Sequence, residues 1–201
     1  MPALPSSLPP ASGAFALFDN NFDAAGQAGA WLLTDLVEEV VCHAPADWAA
    51  SLNRLEAAAR SGAWVALAAS YELGYVIEPR LARHLPPDAG PLLTGWIFRH
   101  AEWLADAACD AWLAVRAGKD AGCTGALQPN IEKADYLRQI DRIRRYITDG
   151  DCYQVNFTFP LTGQAFGNPA ALYRALRAAQ PVRYGAFIAN TGGAILSRSP
   201  E

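Results

Sequence analysis

Short apolar runs separated by turn residues dominate the first half of the chain, and one segment among them has a helical period. Runs rich in aliphatic and aromatic residues predict strands at residues 15–18, 31–42, 64–69 and 91–103. Within residues 45–60, apolar positions instead follow at steps of four, three and four, at Trp48, Leu52, Leu55 and Ala59. That spacing places one apolar stripe on a helix surface, so we expect an amphipathic helix there.

Residues 130–149 carry the clearest helical pattern of the chain. Their apolar positions again follow at steps of four, three and four, at Tyr136, Ile140, Ile143 and Ile147. Asn130 is of the residue type that caps a first turn, and Gly150 stands where a left-handed residue would end the helix. We therefore expect a helix that begins at Asn130 and ends just before Gly150.

A period of two follows this helix. Five apolar residues alternate with polar ones: Tyr153, Val155, Phe157, Phe159 and Leu161 with Gln154, Asn156, Thr158 and Thr162. The alternation predicts a strand over residues 153–162 with one apolar and one polar face. The polar row has two interpretations, either the wet face of an antiparallel sheet, which we favour, or the lining of a polar ligand cavity.

The last part of the chain predicts a helix and a hairpin. Asn168 and Pro169 are a capping residue followed by a proline at the first helical position, and Leu172 and Leu176 are expected to form the buried stripe. Apolar runs at 184–190 and 194–199 flank Thr191, Gly192 and Gly193, a glycine turn typical of an antiparallel hairpin. The final strand, which stops at Glu201, lacks a neighbour on its outer edge, so we expect the chain to be the front part of a larger protein.

These elements predict an α+β fold, with antiparallel sheets and helices packed on the sheet faces. Residues 1–12 contain four prolines and read as a disordered tail. Residues 118–129 are rich in small and turn residues, which favours a linker between an N-terminal subdomain at 13–125 and a second unit at 130–201.

Composition narrows the function classes. The net charge is −4, which does not favour nucleic acid as a partner. The four cysteines show neither zinc-ligand nor disulfide-framework spacing, so reduced thiols are expected. Without a signal peptide or a long apolar run, the pattern indicates a cytoplasmic protein that does not bind membranes.

Several residues are candidates for chemistry. Asp149 and Asp151 are adequately explained as turn residues, and the aromatic and acidic cluster at residues 71–79 is explained as core or as a binding site. Glu201 follows a proline at the end of an apolar strand, where it is either a surface residue or a general acid in a concave site. The three histidines have no spacing that implies a role, and the pattern assigns no metal ligand or substrate-binding residue.

Two motifs resemble those of chorismate-utilising enzymes. The segment YLRQIDRIRRYITDGDCYQVNFT at 136–158 is similar to the helix and strand that open their catalytic domain, with the signature GDxYQVN at 150–156. LSxSPE at 196–201 resembles the family's Ser-Pro-Glu motif at a matching distance downstream. On this resemblance, residues 130–201 are the truncated start of the chorismate-binding catalytic domain, and the fold is an incomplete part of the family's fold.

Within the family, YELGYVIEP at 71–79 resembles component I of the aminodeoxychorismate synthase branch more than that of anthranilate synthase. QPVRY at 180–184 departs from the Asn-Pro-x-Pro-Tyr of relatives in which this segment is tied to an effector, so tryptophan binding is not carried over.

The resemblance implies amination of chorismate at C4, which gives 4-amino-4-deoxychorismate for para-aminobenzoate and folate synthesis. It implies that Glu201 is the acid that protonates the departing hydroxyl, and that a glutamine amidotransferase subunit delivers ammonia. It also implies Mg²⁺, with the metal ligands and an active-site lysine beyond residue 201, so the 201 residues alone are expected to be inactive. The alternatives are anthranilate synthase component I and a non-catalytic module that binds an amidotransferase or an effector.

Overall fold

The computed structural model describes residues 13–22, 28–190 and 192–199. The strands are β1 Phe15–Asn20, β2 Gly29–Cys42, β3 Trp64–Ala69, β4 Leu93–Ala105, β5 Gly122–Thr124, β6 Gln128–Pro129, β7 Leu161–Thr162, β8 Ala165–Gly167, β9 Gly185–Asn190 and β10 Gly193–Ser197. The helices are α1 Trp48–Arg60, α2 Leu73–Ile77, α3 Asp106–Ala117, α4 Lys133–Thr148 and α5 Pro169–Ala179, with short 3-10 helices at Pro45–Asp47 and Pro79–His84. The predicted tail at 1–12 lies outside the described residues.

Six strands form one antiparallel sheet in the order β10-β9-β1-β2-β4-β3. Together with the helices packed on it, this sheet confirms the α+β class. Strands β9 and β10 come from the second predicted unit, yet they pair onto β1 from the first. The division at residues 118–129 stays a prediction, and the sheet shows that both predicted units contribute to the same layer.

The main core lies between this sheet and helices α3 and α5. Phe15 from β1 meets Trp112 from α3 at 4.9 Å and Phe187 from β9 at 4.8 Å between ring centroids, both edge to face. Such pairs add directional stability to the area that the rings bury. Sequence reasoning did not assign α3, although Cys109, Trp112 and Leu113 on it are fully buried.

A second cluster packs α1 and α2 against the other end of the sheet. Leu55 and Ala58 of α1 pack there with Leu73 of α2 and with Cys42 and Ile97 of the strands. The amphipathic helix predicted within residues 45–60 is confirmed by α1. The buried positions are Ser51, Leu55 and Ala58 rather than the full predicted stripe.

The opposite face of the sheet carries a third cluster. Ala16 lies between Phe15 and Leu17 on β1 and packs there with residues that include Trp96 and Ile188. The φ of Asp35 on β2 is +60°, and the register between β2 and β4 shifts between Leu36 and Glu38. On the same sheet Trp31 stacks on Trp64 at 5.5 Å and meets Trp103 edge-on at 5.6 Å, with each of the three tryptophans 42–49% exposed.

Two local expectations about α4 and α5 need correction, and a third is confirmed. Asn130 does not cap α4, because that helix begins after Glu132, whose side chain makes no capping bond. The buried face of α5 consists of Ala170, Tyr173 and Arg177 rather than Leu172 and Leu176, and Leu176 is 38% exposed. The cap of α5 is confirmed, since the Asn168 side chain accepts from the Ala170 N–H at 2.8 Å.

The predicted strand at 153–162 is wrong over most of its length. Only Leu161 and Thr162 are extended in a ladder, paired with Gln128 and Pro129, and residues 152–160 are irregular. Tyr153 is 92% exposed and Val155 41%. A segment with a period of two forms a strand only when a neighbouring strand pairs with its backbone N–H and C=O groups. The described residues provide no such strand beside 153–160.

Helix α4 exists as predicted, and Gly150 ends it with a φ of +81°. None of its residues is buried, and Ile147 at the end of the predicted stripe is 42% exposed. At the start of the stripe, Tyr136 lies 5.8 Å from the rings of both Phe157 and Phe159 in the irregular segment that follows the helix. Among the described helices none is long and apolar enough to cross a bilayer.

Candidate active-site support

Strand β10 leads directly into the Ser-Pro-Glu motif. Its ladder with β9 ends at the pair Ser197 and Ala186, and Arg198 and Ser199 follow. Pro200 and Glu201 lie outside the described residues, so the role of Glu201 as the acid stays a prediction. The structure instead shows what holds the backbone immediately before them.

A buried carboxylate, Asp19, lies at the end of β1 beside this point. Its side chain is 0% exposed. Three groups donate to it: Tyr173 Oη at 2.7 Å, Arg177 Nε at 2.5 Å and Arg198 Nη1 at 2.7 Å. A buried charge is tolerated only when it is paired and hydrogen-bonded, and both oxygens of Asp19 meet this requirement.

Helix α5 supplies two of the three donors. Tyr173 and Arg177 are four residues apart and therefore lie on one face of the helix, which Asn168 orients through its cap. The ring of Tyr173 stacks on Phe187 with 5.0 Å between centroids, so the phenol reaches Asp19 from a fixed position. Arg177 also donates through Nη2 to Asp106, the first residue of α3.

Arg198 ties the end of β10 to two further segments. Its Nη2 donates to Asn21 Oδ1 and, at 2.8 Å, to the Gln180 carbonyl, while Gln180 Nε2 donates to the Arg198 carbonyl at 3.2 Å. Asn21 in turn bonds Val182, since each accepts from the other's backbone N–H. The segment that departs from the family pattern, 180–184, is thus bonded both to the end of β1 and to the residue that follows β10.

The charges in this cluster balance, with Asp19 and Asp106 against Arg177 and Arg198. Burial raises the pKa of Tyr173 well above its usual range, and the adjacent Asp19 carboxylate adds to that rise. The phenol therefore stays protonated and donates throughout the physiological range. Burial also raises the pKa of the nearby Cys109 thiol to about 12, so it is neutral and unreactive.

Gly185 makes the cluster possible. It is the first residue of β9 and pairs with Asp19 across the ladder. A Cβ at this position would overlap Asp19 Oδ1 and Arg198 Nη1 and would lie 2.9 Å from Tyr173 Oη. Only glycine leaves room for three side chains to converge here.

The structure does not bring the other sequence candidates into this cluster. Leu73, within the segment at 71–79, packs in the second core cluster, and Tyr71 is 81% exposed. Gln154 donates to Asn156 at 3.0 Å on an exposed segment, so this part of the polar row lines no described cavity. Asp149 and Asp151 are exposed and bond the last turn of α4 through their backbone N–H groups, as the turn interpretation predicts.

Two cavities lie on opposite sides of the sheet. One of about 520 Å³ runs between α3 and α5, where Asp110 and Arg174 pair with each other through two bonds of 2.9 Å. The other, of about 300 Å³, is lined by the β9–β10 hairpin together with Glu39 and Trp96. Among the described residues there is no group of three or more histidine, cysteine or acidic side chains that could hold a metal ion. The Mg²⁺ that the resemblance implies stays a prediction.

Comparison with known proteins identifies the class. The chorismate binding enzyme family matches residues 23–201, which is most of the chain. The chain therefore belongs to the chorismate binding enzyme family. This confirms the resemblance carried by the motifs at 150–156 and 196–201.

Individual relatives come from two branches of that family. The chain is 34% identical over 94 residues to aminodeoxychorismate synthase component 1 of Klebsiella aerogenes, which covers 45% of this chain and 21% of that protein. It is 37% identical over 76 residues to anthranilate synthase component 1 of Acetivibrio thermocellus, 38% of this chain and 15% of that protein. A third relative, aminodeoxychorismate synthase of Streptomyces pristinaespiralis, is 39% identical over 66 residues, 33% of this chain and 9% of that protein. The chain thus spans about a fifth or less of the length of these relatives.

Sequence reasoning missed every described member of the buried cluster. Asp19 lies just past the strand predicted at 15–18, and Arg198 is the variable position of the LSxSPE motif. The available signal was the spacing of Tyr173 and Arg177, which are polar residues at helical spacing on the face that Ala170 also shares. That signal does not reveal the partner, because Asp19 is more than 150 residues away.

Proposed function

We propose that the full-length product of this gene aminates chorismate at C4 to give 4-amino-4-deoxychorismate. The family match over residues 23–201 carries this proposal as far as chorismate chemistry. The finer assignment is supported by the likeness of residues 71–79 to the aminodeoxychorismate synthase branch and by the relatives of that name in Klebsiella and Streptomyces.

In the proposed reaction the bond between C4 and its hydroxyl oxygen breaks and a bond from C4 to nitrogen forms. Hydroxide is a poor leaving group, so a proton must reach the oxygen as it departs, and the product of departure is water. Glu201 is proposed as the donor of that proton. A positioned acid of this kind contributes about 10² to 10⁴ in rate.

The nitrogen is proposed to come from ammonia that a glutamine amidotransferase subunit releases. The name "component 1" of the Klebsiella relative implies that this relative has a second component. Mg²⁺ is proposed as a requirement of the complete protein, with ligands outside the described residues.

The test is product identification with the purified full-length protein, chorismate, ammonium and Mg²⁺. Chromatography with authentic standards separates 4-amino-4-deoxychorismate from anthranilate. We expect 4-amino-4-deoxychorismate, and we expect Glu201→Gln to lower its rate of formation at least about 100-fold.

Anthranilate as the product would overturn the C4 assignment. It would favour the second candidate function, which the 37% identity to the Acetivibrio anthranilate synthase component supports. If neither 4-amino-4-deoxychorismate nor anthranilate forms, whether the nitrogen source is ammonium or glutamine with the amidotransferase, chorismate amination is rejected. That result would favour the non-catalytic binding module.

A further inference from the structure

We infer that Arg198 is a positioning residue, which uses the buried Asp19 to set where the Ser-Pro-Glu segment leaves the sheet. This inference rests on the proposed function of Glu201. It assigns no chemical step to Arg198 and predicts instead that Arg198 acts on turnover through Glu201.

The position of Arg198 in the chain is the first observation. The β9–β10 ladder ends at Ser197, so no described strand bond holds the next residue. Arg198 is held instead through its own side chain, 6% exposed, and through its carbonyl, which accepts from Gln180 Nε2. Glu201 is three residues further along, a span of at most about 11 Å, so a fixed Arg198 restricts where that carboxyl can lie.

The geometry of the contacts is the second observation. Nη1 of Arg198 reaches Asp19 at 2.7 Å and Tyr173 Oη at 3.3 Å, whereas Nη2 reaches Asn21 and the Gln180 carbonyl. The planar guanidinium makes these contacts from two separate nitrogens, which the single ammonium of a lysine cannot do at once. The Nε of Arg198 is buried and has no partner in the part of the chain that the structure describes, so the two Nη groups determine its position.

The third observation is that Asp19 is anchored independently of Arg198. Arg177 Nε and Tyr173 Oη both hold it from α5, and the strand pair with Gly185 holds its backbone. Asp19 is therefore a fixed point in the core to which the residue that follows β10 is attached through Arg198. Both carboxylate oxygens of Asp19 are hydrogen-bonded within this one arrangement.

The experiment is a double-mutant cycle in the full-length protein, with Arg198→Lys and Glu201→Gln made singly and together. We expect Arg198→Lys to lower kcat about 10- to 100-fold, because a displacement of about 1 Å of a catalytic group can cost that much. We expect KM for chorismate to stay within about threefold. In the Glu201→Gln background Arg198→Lys should lower kcat less than about threefold, since nothing remains for it to position.

Arg174→Met is the matched control. Arg174 is on the same helix as Tyr173 and Arg177 but pairs with Asp110 at the surface, where both side chains are 45% exposed. Its kcat should match that of the wild type. If Arg198→Lys fails to unfold cooperatively, Tyr173→Phe replaces it in the cycle, because it removes only the hydroxyl that reaches Asp19 and Arg198 and keeps the ring on Phe187.

Equal losses from Arg198→Lys in both backgrounds would overturn the inference while leaving chorismate amination intact, because a merely structural role gives additive effects. Unchanged turnover in Glu201→Gln would overturn both the acid role and the positioning role. Loss of the Arg198 effect in the Glu201→Gln background supports the inference.

Discussion

Replacement of Gly185 by alanine tests how tightly the side chains of the buried cluster converge on Asp19. The new Cβ would overlap Asp19 Oδ1 and Arg198 Nη1 and approach Tyr173 Oη to 2.9 Å. The backbone of Gly185 is not in the left-handed region, so the backbone itself accepts alanine. The substitution therefore acts through the side chains that converge on this point.

The magnitude follows from what must move. Asp19 Oδ1 accepts from Tyr173 and Arg198 at 2.7 Å each, and a shift of about 1 Å takes both beyond hydrogen-bond distance. Breaking a buried ionic contact costs about 3–5 kcal/mol. The reduced entropy of the unfolded chain returns about 0.4–1 kcal/mol. We expect a net loss of about 3 kcal/mol in the free energy of unfolding, or about 6–12 °C in the unfolding midpoint for a chain of this size.

Urea unfolding followed by tryptophan fluorescence measures this difference. Gly74→Ala is the control, because a Cβ at Gly74 meets nothing within 4 Å and the residue lies within helix α2, where alanine is the better helix former. It should match or slightly exceed the wild-type stability. A loss of less than about 0.5 kcal/mol in Gly185→Ala, within the range of ordinary surface changes, would refute the tight convergence on Asp19.

Three further predictions concern the core and the exposed helix. Cys109 is buried and Cys123 exposed, so a thiol reagent at pH 8 should modify Cys123 rapidly and Cys109 only on unfolding, and equal rates would contradict the burial. Burial raises the pKa of Cys109 from 9.0 to about 12, so between these pH values the folded state binds more protons than the unfolded state. The contribution of this thiol to the free energy of unfolding is therefore full below pH 9 and should fall as the pH rises from 9 to 12. Urea titrations at each pH measure this change, and a free energy of unfolding that rises over that range would contradict the prediction. Ile147→Ala on α4 should lower the free energy of unfolding by less than about 0.5 kcal/mol, because the Ile147 side chain is 42% exposed. Leu113→Ala in the core should lower it by about 2–5 kcal/mol. Similar losses in the two variants would contradict the exposure of the α4 stripe.

Local signals were sufficient where a structure depends on nearby residues. The hairpin of β9 and β10, the end of α4 at Gly150 and the cap of α5 at Asn168 all followed from residue types and spacing within a few positions. The family was likewise recognisable from two short motifs, and the comparison confirmed it. Helix α3 was missed because its alanine-rich pattern of Asp106–Ala117 shows no clear polar face from sequence alone.

The strand expected at 153–162 shows the limit of such signals. Its alternation satisfies the period of a strand, but a strand is stable only when another strand satisfies its backbone, and the described residues place none beside 153–160. The same reasoning applies to α5, whose buried face is shifted by one residue from the leucine stripe. Tyr173 and Arg177 face inward because the Asp19 carboxylate, near the end of β1, accepts hydrogen bonds from both of them.

Sequence alone therefore determined the fold class, most of the helices and strands, and the membership of a chorismate-binding family, because these depend on periodicity and on short contiguous motifs. Tertiary structure alone decided that Asp19, Tyr173, Arg177 and Arg198 form one buried cluster at the point where the chain leaves the sheet toward Ser-Pro-Glu. These residues are separated by up to 179 positions. The pairing of β1 with β9 and of β9 with β10, together with the packing of α5 on the sheet, brings them within hydrogen-bond distance. A charged side chain is buried in a core only when its hydrogen-bonding and ionic partners are buried beside it. No local sequence pattern encodes which distant residues those partners are.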